Sequence, residues 1–271
     1  MNLQADGYLM VINLHERLSE FSYGYGVTRE IESLLQLFGC TATPFLPSLI
    51  HEEELGFDVS FSSTGGILLA QFKLGQQLER FRRTANETTV PTLDHPFWQF
   101  RVDVGGHQFQ RLIEFETSGA QVFYSAPRFA TWQAYDAAYQ SDNVLSRSLL
   151  IKPSDILAAL AGASGIHRIV YDITRRYVCS DPRIVREYSP EQMAASVREN
   201  LQKENRSLGE QIERLYQRKR PRRGPGALQM RRIDSLMERA KNELDGMAAV
   251  VALEAWTQGA QLIFVGTQLQ A

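Results

Sequence analysis

The spacing of apolar residues predicts a helix near the start of the chain. Over residues 14–38 the apolar positions recur at helical spacing. The clearest stripe consists of Val27, Ile31, Leu34, Leu35 and Phe38. Gly39 is placed as a C-cap glycine, so the helix is expected to end there, with a possible break at the Gly24-Tyr25-Gly26 triplet.

Two short apolar segments follow and predict a β-hairpin. Residues 57–61 and 67–73 are strand-like, and the Ser- and Gly-rich residues 62–66 between them are typical of a turn. Four apolar residues precede Gln71, whereas an exposed strand would alternate more cleanly, so the second strand is expected to be buried. Residues 41–50 contain Pro44 and Pro47, which predicts a loop or a poor edge strand.

Further strands and helices alternate up to residue 185, which predicts the α/β (α+β) fold class. Residues 75–104 resemble an insertion that starts with a polar, irregular stretch. The remaining predicted strands cover residues 98–104, 121–125 and 166–171, and the predicted helices cover residues 107–116 and 130–140.

After residue 185 the pattern changes to two long helices. Ser189, Pro190 and Gln192 form a strong helix start, and the first helix is expected to run to about residue 220. Pro221 and a Gly-Pro-Gly cluster end it, and heptad-spaced apolar residues predict a second helix over residues 227–256. We interpret the pair as an antiparallel helical hairpin that projects as an arm. Residues 261–265 are strand-like and could return to the sheet.

Charge is balanced overall but concentrated locally. The net charge of −2 requires any nucleic-acid surface to be a local patch. Between Arg214 and Arg232 the chain carries eight basic residues and no acid, at the expected tip of the arm. This run could bind the phosphate backbone of a nucleic acid, or it could be a solvent-exposed tip without a ligand. The candidate nucleic-acid-binding residues there are Arg218, Lys219, Arg220, Arg222, Arg223, Arg231 and Arg232.

Composition argues against membrane and disulfide-rich classes of protein. No apolar run approaches the roughly 20 residues that cross a bilayer, and the N-terminus lacks a basic leader. Cys40 and Cys179 lie far apart, which fits two reduced thiols in a cytoplasmic protein. No pair of histidines has metal-ligand spacing, so zinc is not expected.

The candidate chemistry lies in the predicted hairpin. Asp58 opens its first strand, while Gln71 and Lys73 lie two residues apart on the second and so point to one face. The main-chain carbonyl of Phe72 lies between them. Hard oxygen ligands beside an amine suit the magnesium-assisted hydrolysis of a phosphodiester bond.

These residues resemble the D…QxK variant of the PD-(D/E)xK nuclease superfamily, and in particular the Mrr-like restriction endonucleases. The resemblance covers roughly residues 14–126 and implies a restriction-endonuclease-like mixed-sheet core with αβββαβ order. It implies that Asp58, Gln71 and the Phe72 carbonyl bind Mg²⁺ or Mn²⁺, and that Lys73 positions the attacking water or stabilises developing negative charge. The family often adds a glutamate from the first helix.

Glu20 is our preferred candidate for that glutamate, with Glu16 and Glu30 behind it. The chain also departs from the family. Residues 41–50 stand where a clean first strand is expected, and Phe57 stands where Pro is usual. The neutral amide of Gln71 would bind metal more weakly than a carboxylate, which puts catalysis in doubt.

Arg128 follows the strand at residues 121–125, in a loop of the kind that lines ligand crevices. It could contact a phosphate, or it could be a surface arginine beside the Pro127 turn.

Together these features predict a nuclease-like domain over residues 1–185, a helical hairpin arm over residues 186–258 and a returning strand over residues 259–271. The leading hypothesis is a metal-dependent nuclease that cleaves DNA, as in restriction or anti-phage defence. The alternative is an inactive, nuclease-derived nucleic-acid-binding or scaffold subunit. The arm's apolar seams could also support a homodimer or a defence-complex partner.

Overall fold

The computed structural model describes residues 18–45, 61–84, 87, 89–217 and 243–267. Over these ranges the chain has a mixed α/β structure with two sheets, which confirms the α+β class. The helices are α1 (Glu20–Leu37), α2 (His107–Thr117), α3 (Trp132–Gln140), α4 (Pro153–Leu160), α5 (Pro190–Lys203), α6 (Leu208–Gln217) and α7 (Leu244–Thr257). The strands are β1 (Cys40–Phe45), β2 (Gly65–Phe72), β3 (Gln76–Leu78), β4 (Phe97–Asp103), β5 (Gln121–Pro127), β6 (Ser148–Ile151), β7 (Ile166–Tyr171), β8 (Arg176–Cys179), β9 (Arg183–Ile184) and β10 (Ala260–Thr267).

The first sheet has the strand order β1-β10-β2-β5-β6, with β2 at its centre. Seven of the eight residues of β2 are buried, as expected for a strand covered on both faces. β5 runs parallel to β2. The chain between them forms β3, β4 and α2, so α2 is the crossover helix that leads into β5.

Both edges of β2 are occupied, and the predicted hairpin is therefore wrong for this strand. On one edge Leu69 lies opposite Leu262 of β10, and on the other it lies opposite Val122 of β5. Residues 57–60, including Asp58, lie outside the described residues. Just before β2, the carbonyl oxygen of Phe61 accepts a hydrogen bond from the Gly209 amide at 2.9 Å, so the chain enters the strand alongside α6.

Helix α1 runs without a break through the glycines that suggested one. A Cβ atom at Gly24 would lie 2.6 Å from the ring of Phe72, and one at Gly26 would lie 3.0 Å from the Tyr135 hydroxyl. These glycines therefore allow other side chains to approach the helix closely. Ser19 caps the helix by accepting a hydrogen bond from the Ser22 amide at 3.0 Å.

The predicted insertion builds much of a second sheet, whose order is β3-β4-β7-β8-β9. Strand β7 has the predicted bounds, and its Ile169 lies opposite Phe100 of β4. One hydrophobic cluster fills the space between the two sheets and includes residues of α2, α4, α6 and α7. A second cluster covers the other face of the first sheet with α1, α3 and α5.

The helices expected to form an arm pack on the first sheet over their described length. The predicted single helix is interrupted at residues 204–207, and its halves lie on opposite faces of the sheet. Val197 of α5 is in one cluster, and Ile212 of α6 is in the other. Of the heptad-like apolar residues in the described part of the chain, Val197, Leu201, Leu208, Leu215 and Val251 thus belong to the core. Residues 218–242, with all seven candidate basic residues, lie outside the described residues.

β10 lies between β1 and β2, so the C-terminal segment is an internal strand of the first sheet. Its residues from Ala260 to Val265, all apolar except Gln261, are buried. Among the described residues, no helix is both long enough and apolar enough to cross a membrane.

Candidate functional site

The candidate site lies where β2 ends, between β5 and the turn that joins α7 to β10. The Phe72 amide donates to the carbonyl oxygen of Gly259 at 3.2 Å. The next amide, of Lys73, donates to the carbonyl oxygen of Ser125 at 3.0 Å. Gln71, Phe72 and Lys73 are thus held by backbone hydrogen bonds on both sides.

Gln71 carries a buried oxygen with no partner. The side chain is 1% exposed, and its Nε2 donates to the carbonyl oxygens of Phe72 at 3.3 Å and Gly259 at 3.2 Å. Both partners are acceptors, which fixes the orientation of the amide. No hydrogen-bond donor among the described residues reaches Oε1. An unpaired buried acceptor costs roughly 1–3 kcal/mol, so this oxygen could bind a donor or a cation.

Lys73 directly follows the last residue of β2, two residues after Gln71. Its Nζ donates to Oε1 of Gln108 at 3.1 Å, and Nε2 of Gln108 donates to the carbonyl oxygen of Gln258. Gln71 and Lys73 therefore both connect to the α7–β10 turn, the latter through Gln108. Burial lowers the pKa of the Lys73 amine, and the nearby Glu20 carboxylate partly opposes that shift.

Glu20 belongs to the same region of the molecule. It lies in the first turn of α1, and its charge acts on Lys73. It also lines a cleft that Phe72 and Gly259 share. The structure therefore brings Glu20, Gln71, Lys73 and the Phe72 carbonyl to one end of β2. The other predicted acids, Asp58 and Glu16, lie outside the described residues.

The described residues supply more neutral oxygens than carboxylates at this end of β2. Within the described ranges, no three His, Cys, Asp or Glu side chains gather closely enough to hold a metal ion. The oxygens on hand are those of the Gln71 amide, the Phe72 and Gly259 carbonyls and the Glu20 carboxylate. This donor set is hard and suits magnesium or manganese, but it would need a further acid to match a typical site.

Arg128 has internal partners. Its nitrogens donate to the carbonyl oxygens of Asp172 and Ser148, each at 2.9 Å, and to Oε1 of Glu187 at 2.6 Å. Every guanidinium nitrogen is engaged, so the geometry favours a structural role over the predicted phosphate contact.

Glu30, a reserve candidate for the metal site, is engaged elsewhere. Its carboxylate accepts hydrogen bonds from the Val144 and Leu145 amides at 2.8 and 2.7 Å. Burial raises the pKa of this carboxyl group, although the two amides oppose the shift. Glu30 therefore holds the loop before β6 and takes no part in the candidate site.

An open cleft of about 470 Å³ adjoins the site on the α1 side. Phe21 and Tyr25 line it from α1, and Trp256 lines it from the end of α7. Sequence reasoning missed this cleft, because Trp256 meets α1 only in the folded chain. The i, i+4 spacing of Phe21 and Tyr25 is the one local signal that could have indicated an exposed aromatic face.

Gln108 and the Gln258–Gly259 turn were also missed. Gln108 contacts Lys73 across a sequence separation of 35 residues, and Gly259 contacts Gln71 across a separation of 188 residues. No local sequence pattern encodes contacts of this range. Comparison with known protein families, with curated proteins and with solved structures gives no match for this chain.

Proposed function

We propose that this protein is a metal-dependent nuclease that hydrolyses phosphodiester bonds, with DNA as its substrate and the end of β2 as its active site. The observation that carries the proposal is the buried oxygen of Gln71, which has no partner in the described part of the chain, two residues from the partly desolvated amine of Lys73. A metal ion at Gln71 would satisfy that oxygen. The adjacent amine would then lie beside the scissile phosphate.

The order of elements supports the same proposal. Helix α1, strands β1 and β2, helix α2 and strand β5 occur in the order of the αβββαβ core, with β3 and β4 added before α2 and without the core's middle strand among the described residues. β10 occupies the sheet position between β1 and β2 that the middle strand would take. The proposed core is therefore completed by the C-terminal segment.

The Gln71 amide lies beside two main-chain carbonyl oxygens, those of Phe72 and Gly259, which accept hydrogen bonds from its Nε2 at 3.3 and 3.2 Å. The Gln71 amide and these carbonyls would be the neutral groups that hold a magnesium ion at the end of β2. Glu20, with Asp58 from outside the described residues, would supply negative charge.

Each side chain then has a distinct task. When bound, the metal would polarise the phosphate and supply an activated water. Gln71 and Glu20 would bind and orient it. Lys73, whose pKa burial lowers, would hold the attacking water by a hydrogen bond or stabilise charge that develops on the phosphate. Gln108 would fix the position of the Lys73 amine.

A plasmid-cleavage assay with Mg²⁺ or Mn²⁺ tests the proposal. Wild-type protein should nick or linearise the plasmid, and chelation of the metal should stop it. Lys73→Ala should lower the rate at least tenfold, while Lys203→Ala, at an exposed position on α5, should leave the rate unchanged. If wild type and Lys73→Ala give the same background cleavage, the proposal that this protein is a nuclease is wrong.

A second candidate function is an inactive, nuclease-derived subunit that binds nucleic acid or acts as a scaffold. It is favoured by the absence of an acidic cluster among the described residues and by β10 lying where a strand carrying Asp58 was expected. Gln71→Glu would restore a carboxylate. If wild type is inactive and Gln71→Glu cleaves DNA in the presence of metal, the inactivity of the wild-type site is due to the amide that replaces a carboxylate at residue 71.

The basic residues between Arg218 and Arg232 and the defence context remain predictions. A salt titration of DNA binding tests the basic segment, because each lost phosphate contact lowers the slope of log affinity against log salt by about one. Replacement of Arg222 and Arg223 by Ala should reduce that slope by about two. An unchanged slope would discard the role of these residues.

A further inference from the structure

We propose that the cleft between α1 and the α7–β10 turn binds one unpaired nucleobase of a nucleic-acid strand. The base would stack on Trp256 while the phosphate of the same nucleotide lies at the Gln71–Lys73 site. The inference rests on the proposed function in that it takes nucleic acid as the ligand. It adds the recognition of an unpaired base, which no residue of the hydrolytic site provides.

Three exposed aromatic side chains converge on this cleft. Phe21 is 77% exposed, Tyr25 is 58% exposed and Trp256 is 47% exposed, and all three line the same concave surface. Large aromatic rings are usually covered, so their grouping around one cleft marks a binding surface. Flat rings are the surface on which nucleobases stack, and each such contact contributes roughly 1–3 kcal/mol.

The charges of the cleft favour a base over a phosphate. Arg29 is the cation among the described residues that line it, and that guanidinium is already engaged. It pairs with Asp142, donates to the Tyr139 carbonyl oxygen at 2.9 Å and lies 3.8 Å above the Tyr139 ring. Glu20 and Glu32 also line the cleft. The Glu32 carboxylate, which has no part in the proposed metal site, would disfavour a phosphate in the cleft but could accept a hydrogen bond from the amino group of adenine, cytosine or guanine.

The position of the cleft links it to the hydrolytic site. Glu20, Phe72 and Gly259 line the cleft; the carbonyls of the last two accept hydrogen bonds from Gln71, and the charge of Glu20 acts on Lys73. These shared residues make the cleft the neighbour of the hydrolytic site, so a nucleotide whose phosphate lies at Lys73 would have its base beside the cleft.

The base must be unpaired to enter. In a duplex both faces of a base are stacked, so only a single-stranded or extruded base can expose a face to Trp256. The geometry thus selects single-stranded regions or flipped nucleotides as the ligand.

Tryptophan fluorescence of the full chain tests the inference, in the presence of a chelator to prevent cleavage. The probe is a short single-stranded DNA, compared with an abasic strand that has the same phosphates. The normal strand should quench the fluorescence and bind at least tenfold more tightly than the abasic strand. Equal affinity for the two strands would overturn the inference.

Variants of the cleft sharpen the test. Trp256→Ala should weaken binding of the normal strand about tenfold, Trp256→Phe should retain most of it, and neither should change binding of the abasic strand. Trp132→Phe is the matched control, because Trp132 lies on α3 against Tyr135 and away from the cleft. Thermal unfolding should show that Trp256→Ala remains folded. Wild-type affinity in Trp256→Ala would overturn the inference.

Two further outcomes separate this inference from the proposed function. Base-dependent quenching without any plasmid cleavage would support the cleft and discard hydrolysis. Metal-dependent cleavage by a protein that binds normal and abasic strands equally would support hydrolysis and overturn the cleft. Failure to bind any single-stranded DNA would also overturn the inference about the cleft. The cleft would then be assigned to an apolar side chain of a protein partner.

Discussion

Lys73 Nζ and Gln108 Oε1 are joined by a hydrogen bond of 3.1 Å that ties the end of β2 to the first turn of α2. Nε2 of Gln108 in turn donates to the Gln258 carbonyl oxygen, so three segments far apart in sequence meet at the Gln108 side chain. Burial lowers the pKa of the Lys73 amine, and the nearby Glu20 carboxylate opposes the shift. A lysine held in this way lowers stability and is a candidate for function.

We expect Lys73→Met to stabilise the protein by about 1 kcal/mol at pH 7, because methionine keeps the apolar stem and removes a desolvated charge. Chemical denaturation without metal measures the free energy of unfolding. Lys203→Met is the control, since Lys203 is exposed on α5, and its effect should stay within about 0.5 kcal/mol.

The stabilisation by Lys73→Met should depend on pH in a defined direction. The pKa of Lys73 is lowered in the folded state from 10.5, so between the folded value and 10.5 the unfolded chain holds a proton that the folded chain has lost. Wild-type stability therefore rises with pH in that window. The advantage of methionine should shrink as pH rises and vanish above about pH 10.5. A constant difference from pH 7 to 10.5 would contradict the buried-amine explanation.

Gly24→Ala tests the close contact between α1 and β2. Alanine gains about 1 kcal/mol in helix propensity, but its Cβ would lie 2.6 Å from the Phe72 ring, which packs edge-on against Tyr23. We expect a net loss of about 1–2 kcal/mol from overpacking. The double variant with Phe72→Leu should recover part of that loss. If Gly24→Ala stabilises the protein, the glycine does not serve this contact.

The sequence predicts local elements of this fold well and non-local pairings poorly. The bounds of β7 and the start of α2 follow from periodicity and flanking glycines, because neighbouring residues determine them. The hairpin prediction failed because it relied on a local rule, that Ser- and Gly-rich residues between two strand-like segments form a turn. The chain instead pairs β2 with β10, whose Leu262 lies opposite Leu69.

The candidate site shows the same division. The two-residue spacing predicts that Gln71 and Lys73 point to one face, and in the structure both connect to the α7–β10 turn at the end of β2. It gives no indication that Gly259 would accept a hydrogen bond from Gln71, since 188 residues separate them. The heptads of the C-terminal helices were also ambiguous, because apolar residues at helical spacing can face either a partner helix or a sheet.

Glu254→Gln should destabilise the protein by about 3 kcal/mol. Arg111 of α2 is 2% exposed, and its Nη2 donates to Glu254 of α7 at 2.6 Å, while Nη1 contacts Glu114 at 2.7 Å. Removal of one carboxylate leaves a buried guanidinium with reduced compensation, which is costly. Glu213→Gln on the exposed face of α6 is the control and should change the free energy of unfolding by less than about 0.5 kcal/mol. Equal effects of the two variants would show that the buried pair contributes little.

Gly259→Ala, compared with Gly39→Ala, should separate the effect of backbone strain on stability from the effect of a displaced Gln71 amide on activity. Gly259 has φ of +74°, and a Cβ there would lie 3.1 Å from Nε2 of Gln71. Gly39, at the end of α1, has φ of +73°, and no atom of the described residues lies within 4 Å of such a Cβ. Both alanine variants should lose about 1 kcal/mol of stability, because an L side chain is strained at positive φ.

The two variants should differ in activity. Gly259→Ala displaces the Gln71 amide from its partners and, under the proposed function, should lower plasmid cleavage at least tenfold, because small misplacements of catalytic groups have large effects on rate. Gly39→Ala should cleave at the wild-type rate. The free energy of unfolding and the cleavage rate, measured on both variants, decide the matter. Equal activity in the two would show that the hydrogen bond from Gln71 to the α7–β10 turn does not position the active site.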